Sequence, residues 1–230
     1  PLRAPVSVAG NPALSARLAA SLLQPFDVAA SALIDGAVQL ARQPRDYARV
    51  LARVLWQALL RPLPFHAVVA LLLGYTVLYV IAGVAPGGIP VRRAVEFLGS
   101  SHVIALVPPV CGFLFVAASG SAVNGWLGGM SLTRQIAALE ALGVPQRRYL
   151  WAPAWLGVGL AALLTSALFA LGMIAGGALF CATRDIAGGW ELLTSDLLDP
   201  RPERAPFVVR GALLIVVYAW GTAAEVVSAG

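Results

Sequence analysis

Thr133, Arg134, Gln135 and Glu140 stand close together in a chain with few polar side chains, and Leu132, Ile136, Leu139 and Leu142 alternate with them at helical spacing. The chemistry open to such a set is recognition. Arg134 and Glu140 can pair across a contact, Gln135 can donate and accept hydrogen bonds, and Met130 and Leu139 offer apolar contact area. Bond-making chemistry finds little support elsewhere. The chain has no lysine, which excludes a P-loop, whose final Lys is obligatory, and any Schiff-base mechanism. The two cysteines, Cys111 and Cys181, fall in apolar runs, and His66 and His102 fall near the ends of such runs. Scattered in this way they form no recognisable metal set. No catalytic residue, metal ligand or cofactor is expected.

The recognition residues lie in a polar island, Gly120 to Pro153, between two apolar blocks. The chain is 59% hydrophobic and 12% charged, with a mean hydropathy of +0.81. A soluble domain would carry about 25% charged residues. No Asp, Glu or Arg occurs between Arg61 and Arg92, between Glu96 and Arg134, or from Tyr149 to Thr183. Each block satisfies the roughly 20 residues a helix needs to cross the hydrocarbon core. A fourth, Phe207 to Val227, contains only Arg210 and Glu225 near its ends. A membrane barrel alternates apolar and polar residues instead. The expected class is therefore an all-α polytopic membrane protein with four visible transmembrane helices. The spans are expected at about Phe65–Val84 (stopped by Pro86-Gly87-Gly88), Ser101–Val123, Pro153–Phe180 and Phe207–Val227. Pro108-Pro109 should bend or break the second. Gly172-x-x-x-Gly176 in the third permits close helix approach. Trp190, Leu193 and Leu197 suggest a short amphipathic helix resting on the outer surface.

Residues 1–61 read as amphipathic and interfacial helices, distinct from a transmembrane domain over 62–230. Asn11-Pro12, Asp27 and Pro44 with Asp46 offer helix starts, and no signal-peptide pattern is recognised. Arg45, Arg49 and Arg53 form one basic stripe, Leu51, Val54, Leu55 and Leu59 an apolar one, and Trp56 a headgroup-level anchor. Ten arginines flank the first span on its N-terminal side or lie in the island, against five in the other two connections. That bias places the N-terminus and the island in the cytoplasm. The net charge of +5 thus reads as membrane topology and not as a nucleic-acid surface.

Within the island, Ser131 can cap a helix running to Leu142, about 18 Å long. Gly143 offers a left-handed stop and Pro145 prevents continuation. Such a helix is either an ordinary cytosolic loop helix or a coupling helix that transmits the motion of a cytosolic ATPase.

Gly120-Ser121-Ala122, Gly128-x-Met130, Gln135, Glu140 and Pro153 resemble the signature region of the MlaE/YrbE family, the permease subunits of ABC transporters that move lipids with MCE-domain proteins. Weaker similarity reaches from Arg53-Val54-Leu55-Trp56 through Gly74 and Pro108 to Arg210, covering roughly residues 50–228. The resemblance implies a coupling helix at about 131–142, with Met130, Arg134, Gln135, Leu139 and Glu140 contacting a cytosolic ABC ATPase. It also implies an MCE-domain partner, a second permease copy or paralogue, a phospholipid or similar substrate, and residence in the bacterial cytoplasmic (inner) membrane. Arg210, whose guanidinium matches phosphate, is a candidate lipid contact, with Tyr75 and Tyr79 on span one. The family's fold is an interfacial helix and five spans, so the fifth is expected to be absent from this chain. Four positions depart from the family: Ile104 and Ala105 stand where an Arg-Glu pair is usual, Ala118 for Arg, and Trp126 for Glu. These departures fit a divergent member or one half of a heterodimer.

Overall fold

The computed structural model describes residues 30–84 apart from 31 and 39, then 90–144, 147–198 and 205–229. The helix starts expected at Asn11 and Asp27, and the stops at Pro86-Gly87-Gly88 and Pro145, lie outside the described residues. Residues 32–38 and 40–42 are helical, Gln43 interrupts them, and Pro44 occupies the first turn of a new helix. A proline's missing N–H has no intrahelical partner to lose there. Helix α1 (Pro44–Leu55) passes through a π turn, Trp56–Leu60, into α2 (Leu63–Val84). Then follow α3 (Val91–Leu98), α4 (Ser101–Leu132), α5 (Gln135–Ala141), α6 (Ala152–Thr183, entered through a π turn at Arg147–Trp151), α7 (Gly189–Leu198) and α8 (Ala205–Ala229). There is no strand among the described residues. Pro44–Val84, Ser101–Leu132, Tyr149–Thr183 and Ala205–Val227 are long and apolar enough to cross a membrane. The protein is an all-helical, multi-pass membrane protein.

Half of the apolar window of α6 is buried, against 17% for Pro44–Val84 and 22% for α8. This makes α6 the axle on which α1, α2, α7 and α8 all pack. Its small residues explain why. Val54 of α1 sits on Gly157, Ala70 of α2 on Gly172, the Leu71 carbonyl on Gly176, and Leu78 on Gly177. The contacts advance in step along both chains, so Pro44–Val84 runs parallel to α6. Gly74 in turn lies against the Met173 carbonyl. Lipid tails are as apolar as leucine, so close van der Waals packing of small residues must hold spans together. The Gly172-x-x-x-Gly176 expectation is met.

The apolar face of α1 is consumed by this packing. Val54 is fully buried, with Leu51, Leu55 and Leu59 half-buried beside it. That departs from a helix whose apolar face rests in lipid, and the small residues at the start of α6 are the reason. One core cluster joins α1 to the ends of α4 and α8 and the start of α6, while a second joins α2, α3, α7 and the far half of α6. Leu193 of α7 is fully buried against Gly177. Helix α7 is therefore wedged into the bundle, not laid over its surface.

Pro108 and Pro109 do not break α4. A proline removes one backbone bond and its ring crowds the carbonyl four residues back. The chain answers by widening into a π turn at Val107–Cys111, with the Gly112 amide returning to the Pro108 and Pro109 carbonyls. Nearby, Cys111 Sγ and Ser166 Oγ meet at 3.6 Å, joining α4 to α6.

Trp155 of α6 and Trp220 of α8 stack with centroids 4.5 Å apart, and Gly159 leaves the space that the Trp220 ring fills. Trp220→Ala should lower the melting temperature of the purified protein in detergent, the ring pair alone contributing about 1 kcal/mol. Trp220→Phe should retain most of that stability.

Candidate functional site

The first third of the island, GSAVNGWLGG, carries no charge and simply prolongs span two, so α4 continues to Leu132. Ser131 lies inside α4 and caps nothing. The coupling helix expected from Ser131 to Leu142 instead begins at Gln135. The physical cause is Arg134, whose backbone is left-handed at φ 57°. Thr133 Oγ1 donates to the Gly129 carbonyl at 2.8 Å, closing α4, and the Ala138 amide donates to the Arg134 carbonyl at 3.0 Å, opening α5. Helix α5 therefore has 7 residues, about 10 Å. Its far end is as expected. Gly143 takes φ +75°, its amide donates to Glu140 at 2.9 Å, and the Val144 amide donates to Leu139 at 3.0 Å. Those two bonds are the Schellman pattern, in which a left-handed glycine lets the last carbonyls be satisfied.

Between α5 and α1 the chain leaves a cleft of about 400 Å³. Arg49, Val50 and Arg53 come from α1, Trp126 and Met130 from the end of α4, Gln135, Ala138, Leu139 and Leu142 from α5, and Tyr149 and Leu150 from the approach to α6. Of the expected recognition residues the fold brings Met130, Gln135 and Leu139 together here. Arg134 and Glu140 are exposed and do not line the cleft. Arg49, Arg53 and Tyr149 were not expected at this site. The Arg45-Arg49-Arg53 stripe is plain in the sequence, but nothing local says that Arg49 and Arg53 share a cleft with α5, more than 80 residues later. Trp126, one of the expected departures from the family, also lines the cleft.

Electrostatically the cleft is one-sided. It is lined by two guanidiniums and by no Asp or Glu. Arg49 shares an exposed 2.9 Å ion pair with Asp46 on its own helix. The exposed residues of α1 and α2 also change character in order: Arg45, Arg49 and Arg53, then Trp56, Leu60 and Arg61, then Phe65, Val68 and Leu72. Arginines with a tryptophan among them, then only apolar groups, is the order met on going from the headgroup region into hydrocarbon.

The candidate lipid contacts stand elsewhere. Tyr75 meets Phe180 of α6 edge-on at 5.6 Å and stacks with the exposed Tyr79 at 6.5 Å. Arg210 is exposed beside Gly211, which packs on Ile104 of α4. None of the three lines the cleft. His66 and His102 each hydrogen-bond through Nδ1 to a nearby backbone carbonyl, of Pro62 at 2.9 Å and Gly99 at 3.0 Å.

A search of the curated proteins finds no match. A family model described as Permease MlaE matches residues 51–190. The matched stretch begins in α1, takes in α5 and all of the cleft lining but Arg49 and Val50, and ends in α7, over half of the 230 residues. The chain belongs to the MlaE permease family.

Proposed function

We propose that this chain is the permease subunit of an ABC transporter that moves phospholipid or a similar hydrophobic lipid between the cytoplasmic membrane and an MCE-domain protein. A separate cytosolic ATPase supplies the energy, and the permease itself does no bond chemistry. A second permease copy or a paralogue completes the lipid path, to which Tyr75, Tyr79 and Arg210 contribute. The N-terminus and α5 lie in the cytoplasm, in keeping with the arginine bias.

The observation that carries this reading is the form of α5 within the family match. It is a short helix with defined ends, standing free between spans α4 and α6, with Leu132 and Leu142 flanking it at 86% and 78% exposure. A helix joined to two spans at both ends passes a push on itself directly into both. Met130, Arg134, Gln135, Leu139 and Glu140 make the contact, Leu139 from the cleft side and Glu140 from the opposite side.

The test is reconstitution. The chain, co-purified with the ATPase and MCE-domain protein of its own operon and placed in vesicles, should move a fluorescent phospholipid on ATP addition and not with a non-hydrolysable analogue. An assembled complex that hydrolyses ATP but moves no lipid would instead make the chain a scaffold. Its apolar departures at Ile104, Ala105, Ala118 and Trp126 would then mark lost transport residues.

A further inference from the structure

We infer that the cleft between α1 and α5 is a binding site for the phosphate of an anionic phospholipid in the leaflet on that face of the protein. This goes beyond the permease reading and needs of it only that the chain spans the membrane. The occupant is a resident lipid, distinct from cargo in a path through the spans.

Three observations meet at this cleft. The first is charge: Arg49 and Arg53 line it with no carboxylate among the lining residues. A guanidinium binds phosphate oxygens through paired N–H donors, a stronger contact than a neutral hydrogen bond. The second is depth. Arg53 lies one turn before Trp56, on a stretch that ends at the exposed Arg61 before the exposed face turns to Phe65, Val68 and Leu72. That is headgroup level, where tryptophan and tyrosine concentrate, and Trp126 and Tyr149 stand in the cleft wall. The third is shape. Apart from Gln135, the remaining lining groups, Val50, Met130, Ala138, Leu139, Leu142 and Leu150, are apolar. A small hydrophilic anion would leave them wet, whereas a phospholipid covers them with its glycerol and upper acyl segments. An acidic segment of the ATPase is the competing occupant. It would account for the charge but not for the match in depth.

The experiment is native mass spectrometry of the full chain in detergent, titrated separately with phosphatidylglycerol, phosphatidylcholine and inorganic phosphate. Wild type should retain phosphatidylglycerol over phosphatidylcholine by about tenfold or more, and Arg49→Gln with Arg53→Gln should reduce that preference to within about twofold. Both arginines are exposed, and the Arg49–Asp46 pair is a surface pair of little energetic weight, so the variant should fold. Arg49→Lys with Arg53→Lys should recover part of the preference. Trp126→Glu, which places a carboxylate beside the arginines, should abolish it. Arg92→Gln, at an exposed pair with Glu96 outside the cleft, should leave it unchanged.

Equal retention of the two lipids by wild type would overturn the assignment, as would a preference that survives in the double Gln variant. Capture of inorganic phosphate as readily as phosphatidylglycerol would overturn a lipid in favour of a soluble anion. Loss of ATPase co-purification in the double Gln variant with lipid preference intact would reassign the arginines to the partner. Lipid retention is read on the isolated chain, so it can fail or hold whatever the reconstituted transporter does.

Discussion

Gly176→Ala is expected to leave little folded protein, although it adds a single methyl group to a helix. Alanine is the better helix former by about 1 kcal/mol, so on local grounds the change should stabilise α6. Packing decides otherwise. A Cβ at Gly176 would overlap the Leu71 carbonyl oxygen and lie 2.9 Å from its carbon and 3.0 Å from the Tyr75 nitrogen. These are backbone atoms of α2 and cannot rotate away, so the two helices must separate. Separation also opens the contacts of Gly172 with Ala70 and of Gly74 with the Met173 carbonyl. The cost should reach about 3 kcal/mol or more, the upper end for overpacking. Gly74→Ala should behave in the same way, its methyl group meeting the Met173 carbonyl. Gly129→Ala supplies the control, since nothing lies within 4 Å of a Cβ there. It should match wild type or gain up to about 1 kcal/mol. Thermal melting in detergent and recovery of monodisperse protein measure all three. A Gly176→Ala protein as stable as wild type would mean that α2 and α6 are not in this register.

The small residues of α6 also show why much of the fold can be read from the chain. Spans follow from charge-free runs of bilayer length, and in lipid a backbone of that length has few alternatives to a helix. Gly172 and Gly176 announce a close contact, and Gly143 announces the end of α5. Other features leave no comparable local trace. The extension of α4 past Val123 to Leu132 is ambiguous, because the charge-free run GSAVNGWLGG suits both a loop and a helix. The left-handed turn falls at Arg134, a residue type with no special preference for it, so the helix start at Gln135 goes unmarked. The cleft is a long-range property. Its basic wall comes from α1 and its apolar wall from α5, and each wall taken alone looks like an ordinary amphipathic helix. Trp126 is expected as a departure from the family, yet its meaning depends on the two arginines that line the same cleft.

Leu139→Arg is expected to remove ATPase association and lipid movement together while leaving the spans assembled. Leu139 is half-buried in the wall of the cleft, facing a space already lined by Arg49 and Arg53. A third guanidinium finds no carboxylate among the lining residues and repels both neighbours. Like charges placed together in an interface cost several kcal/mol, on the order of a thousandfold in affinity. The displacement should fall on α5, which is short and has no buried residue of its own. The core of α6 should be untouched, so melting should change little while ATPase co-purification and ATP-driven transport both disappear. Leu139→Met, similar in volume, should be nearly silent. Glu140→Arg, on the opposite side of α5, separates two ways of docking. If the ATPase grips that side, Glu140→Arg should be the more damaging of the two charge changes. A Leu139→Arg complex that assembles and transports normally would remove the coupling role from α5. The same substitution adds a cation to the proposed lipid site, so phosphatidylglycerol retention should persist or rise as ATPase binding is lost. That opposite response separates a helix that docks a partner from a cleft that holds a headgroup, although both use Leu139.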